Sequence, residues 1–157
     1  MYARDFALIA TPIGMVRLIG TPELIERVKI EALADEVSAG SGAVAEGAAQ
    51  VAAYFAGRLA TFDLPLAASP SPRGDAMRAA MVAVPFGETL SYGALARTIG
   101  SGARAIGQAC ARNPLPIIVP CHRVTNADGS LGAYSAGDGP ATKRWLLEFE
   151  GGSARLI

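Results

Sequence analysis

Cysteine and histidine are scarce in this chain of 157 residues, which has two cysteines and one histidine. Cys110 and Cys121 are too few for a disulfide framework, and their spacing matches no zinc-binding signature. Free thiols are typical of a reducing compartment. Each of the two thiols is therefore a candidate for chemistry.

Long apolar runs are also missing. No run reaches the roughly 18 to 20 residues that a membrane span needs. The first six residues include an acidic one, Asp5, and only a short apolar stretch follows, which makes a poor secretory signal. Hydrophobic residues still make up 51% of the chain, enough to bury a core. We therefore expect a folded, cytoplasmic protein without a membrane partner.

The chain has no excess of either charge, because its formal net charge is zero. The charges are unevenly placed, however. Residues 1–72 hold five Lys and Arg against eight Asp and Glu, whereas residues 73–157 hold nine against six. Such a basic half is typical of a surface that meets a polyanion, although solvated helix faces often carry similar charge.

The pattern of apolar residues predicts a short antiparallel sheet near the N-terminus. Residues 5–10 and 15–19 are typical of two strands, and the sequence Thr-Pro-Ile-Gly at 11–14 is typical of the turn between them. A further strand is expected over 23–30, where the apolar period is ambiguous.

One helix and a linker complete the N-terminal lobe. The helix is predicted over 43–57, with apolar residues on one face. The sequence Ala-Ser-Pro-Ser-Pro-Arg-Gly at 68–74 is typical of a linker. We therefore predict two lobes, one of residues 1–70 and one of residues 73–157.

The second lobe is predicted to be mainly helical, which makes the chain an α/β protein of the α+β kind. Helices are expected over 75–84, 92–99 and 103–112, and a last helix runs from Pro140 to about Gly151. A Gly-Ser-Gly turn joins the second and third of them, in the outline of a helix-turn-helix. A plain corner between two helices has the same pattern and is commoner.

The segment after the third helix carries the reactive residues. Residues 113–116 must leave the helix, because the residue before each proline is pushed out of the α region. Residues 117–119 are predicted to form a short, buried, strand-like segment that ends at Pro120. Cys121 and His122 then begin a polar loop.

His122 directly follows Cys121 in the chain. A base or a positive charge near a thiol raises the fraction of reactive thiolate. Neighbouring residues usually point apart, so a water that bridges the two side chains is plausible. Alternatively, Cys121 is a small buried hydrophobe and His122 caps a turn. A carboxylate that orients the imidazole would complete a relay, and sequence spacing does not choose among the candidates. These are Asp75, Glu88, Asp128, Asp138, Glu148 and Glu150.

The sequence Pro-Cys-His-Arg-Val at 120–124 resembles the acceptor motif of the O6-alkylguanine-DNA alkyltransferases, the methylated-DNA–protein-cysteine methyltransferases. The resemblance continues across residues 78–151 in the family's order and spacing, and residues 11–14 and 54–57 are also similar. The matching segments of the second half are 84–88, 91–92, 103–107, 112–114, 134–135 and 145–151.

The resemblance implies catalytic roles for five residues. Cys121 would accept the alkyl group in a single turnover that inactivates the protein. His122 would deprotonate Cys121 through a water, and Glu150 would hold the imidazole. Asn113 would brace the turn after the third helix, and Tyr92 would donate to the base as guanine leaves.

The resemblance also implies how the damaged base and the DNA are held. Val124, Tyr134 and Ser135 would line the base pocket or contact the base. The helix-turn-helix would enter the minor groove, where Arg104 fills the gap left by the flipped nucleotide. The implied DNA contacts are Ala103, Arg104, Gly107, Arg112 and Arg123.

The implied partner is double-stranded DNA that contains O6-alkylguanine, with O4-alkylthymine as a further substrate, and we expect a monomer. No cofactor is expected, because the alkyl group is already on the substrate. Some relatives hold a zinc ion in the N-terminal lobe. Residues 1–109 contain neither cysteine nor histidine, so we expect no such metal site here.

Other classes of function explain less of the sequence. A damage-binding protein without repair activity would lack the acceptor cysteine, which this chain has at Cys121. A thiol hydrolase that uses Cys121, His122 and Glu150 would leave the helix-turn-helix unexplained. A regulatory DNA-binding module would leave the Pro-Cys-His-Arg sequence without a role.

Overall fold

The computed structural model describes residues 5–32 and 37–151. Residues 1–4, on which part of the secretory-signal prediction depends, lie outside these ranges. The chain divides into two compact units, Met1–Ala67 and Ala68–Ile157. No helix of the described ranges is long and apolar enough to cross a membrane.

The first unit contains three strands, β1 Asp5–Thr11, β2 Gly14–Gly20 and β3 Ile25–Glu31. They form an antiparallel sheet in the order β1-β2-β3. Leu18 of β2 pairs with Val28 of β3, and both side chains are buried. The predicted hairpin and third strand are thus confirmed.

Helix α1, Gly42–Phe55, packs against this sheet. Gly47 makes the close packing possible, because a Cβ atom there would lie 2.7 Å from side-chain carbons of both Ile25 and Leu18. The helix ends two residues before the predicted boundary, since Gly57 has a φ of 78° and leaves the helical conformation.

Four helices make up most of the second unit: α2 Pro72–Val82, α3 Tyr92–Thr98, α4 Ala103–Ala111 and α5 Pro140–Gly151. Helices α3 and α4 pack against each other, and both contact α2. The packing of α3 against α4 agrees with the predicted helix-turn-helix.

Helix α2 begins three residues earlier than predicted, inside the linker-like stretch. The hydroxyl of Ser71 accepts a hydrogen bond from the N–H of Gly74, at 3.0 Å, and caps the helix. Pro72 suits the first helical position, where its missing N–H leaves no bond unmade. Serine and proline, which indicate a linker elsewhere, here start a helix.

The segment around Cys121 contains elements that the sequence does not predict. Cys121–Arg123 forms a buried 3-10 helix rather than a polar loop. Strand β5, Val124–Thr125, follows it and pairs in parallel with β4, Leu90–Ser91, just before α3. Strands of two residues are too short to show an alternating pattern.

The strand-like segment predicted over 117–119 is wrong, because these residues form a buried turn. Ile117 has a φ of 74°, which a β-branched residue rarely adopts. The Asn113 side chain holds the turn: its amide donates to the Val119 carbonyl, and its oxygen accepts from the Leu115 N–H, each at 3.0 Å. The side chain replaces the partner that a neighbouring strand would provide.

Candidate active site

Cys121 begins the 3-10 helix and is 4% exposed. Burial raises the pKa of its thiol, because the charged thiolate loses its hydration. A hydrogen bond from the Asn113 side chain and the positive charge of Lys143 act in the opposite direction. The thiol therefore holds its proton in the resting protein and needs a base to become nucleophilic.

His122 is completely buried, and its Nε2 lies 2.8 Å from Oε2 of Glu150. A carboxylate only accepts hydrogen bonds, so Nε2 carries the proton and Nδ1 keeps a free lone pair. Nδ1 is buried without a hydrogen-bond partner in the described part of the chain. Burial lowers the pKa of His122, and the hydrogen bond to Glu150 opposes that effect. The result is a neutral imidazole with basic character.

Arg123, which the sequence analysis expects to contact DNA, also binds Glu150. Its Nε donates to Glu150 Oε1 at 2.8 Å and its Nη2 to Oε2 at 2.9 Å. Nη1 donates to the Val84 carbonyl at 2.8 Å. The guanidinium is thus buried and engaged on the protein side, where it fixes the carboxylate that orients His122.

Helix α5 places Glu150 beside His122 and Arg123. Its inward face carries residues spaced as one side of an α-helix, namely Lys143, Leu146, Leu147 and Glu150, all buried. Of the six carboxylates that the sequence left open, Glu150 is thereby placed against His122.

Lys143 is a site residue that sequence reasoning missed. It is fully buried, and its Nζ donates to the Val124 carbonyl at 2.7 Å, to the Tyr92 hydroxyl at 3.3 Å and to the Ala133 carbonyl at 3.4 Å. Burial lowers the pKa of Lys143, whereas Cys121 and Cys110 nearby raise it. The available signal was its spacing with Leu146 and Leu147, which puts a charge on the apolar face of α5.

Tyr92 is the first residue of α3 and is half-buried. The preceding Ser91 caps the helix, because its hydroxyl accepts from the Ala94 N–H at 3.1 Å. Burial raises the pKa of Tyr92 to about 12, and Cys110 and Cys121 add to the rise. The phenol is therefore protonated at neutral pH and able to donate.

Tyr134 and Ser135 lie in the segment that precedes α5. Tyr134 is buried, its hydroxyl has no hydrogen-bond partner among the described residues, and burial raises its pKa well above 10.0. Ser135 is exposed, and its hydroxyl donates to the Ala111 carbonyl at 3.2 Å. That bond joins the segment to the end of α4.

An open cavity of about 460 Å³ brings six of the predicted site residues together. Four further lining residues were missed, namely Ala111, Asn126, Gly132 and Ala133. Within the described ranges, Cys121 and Val124 are buried and do not line this cavity. The six predicted residues are Tyr92, Ala103, Arg104, Gly107, Tyr134 and Ser135.

Cys110, the second cysteine, lies on α4 and is buried. Burial and the nearby Cys121 together raise the pKa of Cys110 to about 12, although Lys143 acts in the opposite direction. No base is hydrogen bonded to it in the described ranges, so its thiol stays protonated and unreactive.

Residues 74–152 match the family model of the 6-O-methylguanine DNA methyltransferase DNA-binding domain. The chain is also 38% identical over 155 residues to the methylated-DNA–protein-cysteine methyltransferase of Methanosarcina acetivorans, with 93% of this chain and 97% of that protein covered. The chain belongs to the methylated-DNA–protein-cysteine methyltransferase family. The Mycobacterium tuberculosis member is likewise 38% identical, over 152 residues, covering 92% of this chain and 91% of that protein.

Solved structures of this methyltransferase family share the fold. The crystal structure of the Mycobacterium tuberculosis O6-methylguanine methyltransferase is 35% identical and has a TM-score of 0.80, with 94% of this chain and 93% of that chain covered. The Mycobacterium tuberculosis OGT in complex with DNA is 38% identical, also has a TM-score of 0.80, and covers 96% and 93% of the two chains. The predicted α+β fold is confirmed by these structures.

Proposed function

We propose that this methyltransferase repairs DNA by moving an alkyl group from O6 of guanine to the sulfur of its own Cys121. Membership of the family makes alkyl transfer to a protein cysteine the chain's activity. The observation that favours Cys121 is the buried, neutral His122 beside it in the chain, with its Nε2 hydrogen bonded to Glu150. Cys110 has no such neighbour.

His122 is proposed to activate Cys121. Its free Nδ1 lone pair is the acceptor for the thiol proton, and a bridging water carries the proton between the two side chains. Glu150 stabilises the imidazolium that forms, and Arg123 keeps the carboxylate in place. Asn113 assists by donating to the sulfur and by holding the turn before Pro120.

The transfer step is a displacement at the alkyl carbon. The thiolate forms an S–C bond, the C–O6 bond breaks, and its electron pair goes to guanine, which takes up a proton. Tyr92 donates to the base as the bond breaks, because its high pKa keeps the hydroxyl protonated. His122 then releases to solvent the proton that it took from the thiol, and Tyr92 regains one from solvent. The net change is therefore one proton moved from the thiol to guanine and the alkyl group moved to sulfur. A thioether has no route back to a thiol, so each molecule reacts once.

The damaged base is proposed to enter the cavity near Tyr92. A base inside a duplex is unreachable, so its nucleotide must flip outward. Tyr134 would form one wall, and the Ser135 backbone would contact the alkylated oxygen. The Val124 carbonyl accepts from Lys143 and has a second lone pair with which to bind the base edge.

Helix α4 is the proposed DNA-binding element, placed in the minor groove. A Cβ atom at Gly107 would meet no protein atom within 4 Å, so the packing of the protein does not require glycine there. In the proposed complex, glycine is required because a side chain there would keep the helix away from the DNA. Ala103 is small and exposed on the same helix, Arg104 would replace the flipped base in the stack, and Arg112 would contact phosphate.

One molecule is proposed to be sufficient for the reaction. Every residue with a proposed role lies in the second unit, Ala68–Ile157. The thiol, its base and the DNA-binding helix are thus on one chain. This supports a monomer as the active species.

Intact-mass spectrometry tests the proposal directly. Wild-type protein and Cys121→Ser are incubated with a duplex that carries one O6-methylguanine, and Cys110→Ser serves as the matched control. We expect one added methyl group on wild type and on Cys110→Ser, mapped to Cys121, and none on Cys121→Ser. Lesion-selective binding without a change in mass would indicate a damage sensor and refute the proposal. Repeated turnover without a stable adduct would refute it as well.

A further inference from the structure

Lys143 places a positive charge inside the site, and the function proposed above gives it no task. Its Nζ lies 3.3 Å from the hydroxyl oxygen of Tyr92 and 5.6 Å from the centre of the Tyr92 ring. We propose that Lys143 is a positioning residue that turns the hydroxyl proton of Tyr92 toward the departing base. The inference rests on the proposed function, because it concerns how Tyr92 donates in that reaction.

The number of acceptors around Lys143 indicates the charged form. Three oxygens surround Nζ: the carbonyls of Val124 and Ala133, at 2.7 and 3.4 Å, and the hydroxyl of Tyr92, at 3.3 Å. An ammonium group has three N–H donors, whereas a neutral amine has two. Only the ammonium form gives every one of these oxygens a hydrogen bond.

The ammonium group fixes the direction of the Tyr92 hydroxyl. It has no lone pair, so Tyr92 can only accept from Lys143 and must direct its own proton elsewhere. Tyr92 also lines the cavity of about 460 Å³. The hydroxyl proton is therefore left for a group inside that cavity, which is where the proposed function places the flipped base.

The charge also stabilises the state in which the C–O6 bond breaks. As Tyr92 gives its proton toward the base, negative charge grows on the hydroxyl oxygen. A positive charge at 3.3 Å in buried surroundings stabilises that oxygen more than water would. Lys143 keeps its own proton throughout, so the overall proton transfer from thiol to guanine is unchanged.

A purely structural role does not account for Lys143. Within the described ranges, no carboxylate forms an ion pair with it, and its partners are uncharged oxygens. Burying an unpaired cation lowers stability, and groups with such perturbed surroundings concentrate at functional sites. The neighbouring Arg144 lies on the same helix and is exposed to solvent, as charged side chains usually are.

A double-mutant cycle tests the coupling between Lys143 and Tyr92. Single-turnover methyl transfer is timed at saturating O6-methylguanine duplex for wild type, Lys143→Met, Tyr92→Phe and the double variant. Arg144→Met is the matched control, because it removes a positive charge from the next position of α5. Affinity for the lesion duplex is measured separately with Cys121→Ser in each background, and melting temperatures establish that each variant is folded.

We expect Lys143→Met to slow transfer by roughly 10- to 100-fold, within the contribution of a general acid, and to leave lesion affinity unchanged. The same substitution should have little further effect in the Tyr92→Phe background, and Arg144→Met should react at the wild-type rate. Equal slowing in both backgrounds, or no slowing at all, would overturn the inference.

Two other outcomes do not concern the coupling between Lys143 and Tyr92. If wild type itself gains no methyl group, the proposed function fails rather than the role of Lys143. If Lys143→Met does not fold, Lys143→Gln replaces it, since glutamine keeps two donors but has no charge. The cycle is then read in the same way.

Discussion

At the scale of single residues, His122 is the group whose protonation controls the proposed chemistry. Burial is the main cause that lowers its pKa below the ordinary value of 6.5. The folded protein therefore binds fewer protons at this residue than the unfolded chain does. Its contribution to stability is complete above the unfolded pKa and is lost as the pH falls below that value.

This loss of stability at lower pH gives a prediction for His122→Gln. Between pH 6.5 and about pH 5, the unfolding free energy of wild type should fall more steeply than that of the variant, by up to about 1.4 kcal/mol per pH unit. Urea unfolding at a series of pH values measures both slopes. His122 is the only histidine of the chain, so the difference between the slopes belongs to it. Equal slopes would show that the imidazole is not held neutral.

The reactive residues were predictable from sequence to different degrees. Cys121 and His122 are visible because a rare pair of residue types stands after a proline. Arg123 follows them directly, and a charged residue next to a catalytic pair suits either DNA or an internal carboxylate. Its burial against Glu150 depends on where α5 packs, which local sequence does not contain.

At the scale of elements, helix α4 has two faces with different demands. Ile106 and Cys110 are buried against the protein, whereas Ala103 and Gly107 lie on the side proposed for DNA. A small residue on the second side contributes nothing to packing within the protein. In the proposed orientation of α4, a small residue on that side lets the helix approach the DNA closely.

Gly107→Ala should therefore raise stability and weaken DNA binding together. Alanine in a helix interior is favoured over glycine by about 1 kcal/mol, and no protein atom obstructs the new methyl group. Thermal melting and titration with lesion duplex measure the two effects. Gly47→Ala is the contrasting variant, because its Cβ would press on Ile25 and Leu18 and should lower stability. Unchanged DNA affinity for Gly107→Ala would argue against the proposed orientation of α4.

The strands and helices were easier to predict than the irregular segment that contains Asn113 and Ile117. The strands and helices follow apolar periods that local sequence carries. The turn around Ile117 follows the same apolar pattern as a strand, and only the Asn113 side chain distinguishes the two. Side-chain bonds of this kind depend on the folded geometry, so periodicity does not indicate them.

At the scale of the whole molecule, the proposed reaction changes the packing of the protein that performs it. Cys121 is 4% exposed, so a transferred methyl group stays inside the structure. Adding a methylene-sized group to a well-packed site typically costs about 1–3 kcal/mol. Repair and loss of stability would then be one event.

Methylated protein should melt at a lower temperature than unmodified protein, by several degrees for a chain of this size. The comparison uses samples whose mass shows complete or no methylation, with the DNA removed. Cys121→Ser treated with the same duplex is the control for effects of handling. An unchanged or higher melting temperature would show that the site accommodates the added group without strain.

Helix α5 supplies both Glu150 and Lys143, the groups hydrogen bonded to His122 and Tyr92. During translation, Cys121 leaves the ribosome before either of them. A nascent chain therefore carries a thiol without its carboxylate-held imidazole and without its buried cation. If the proposed roles of these residues hold, an unfinished chain would not react, and the single reaction would be left to the completed protein.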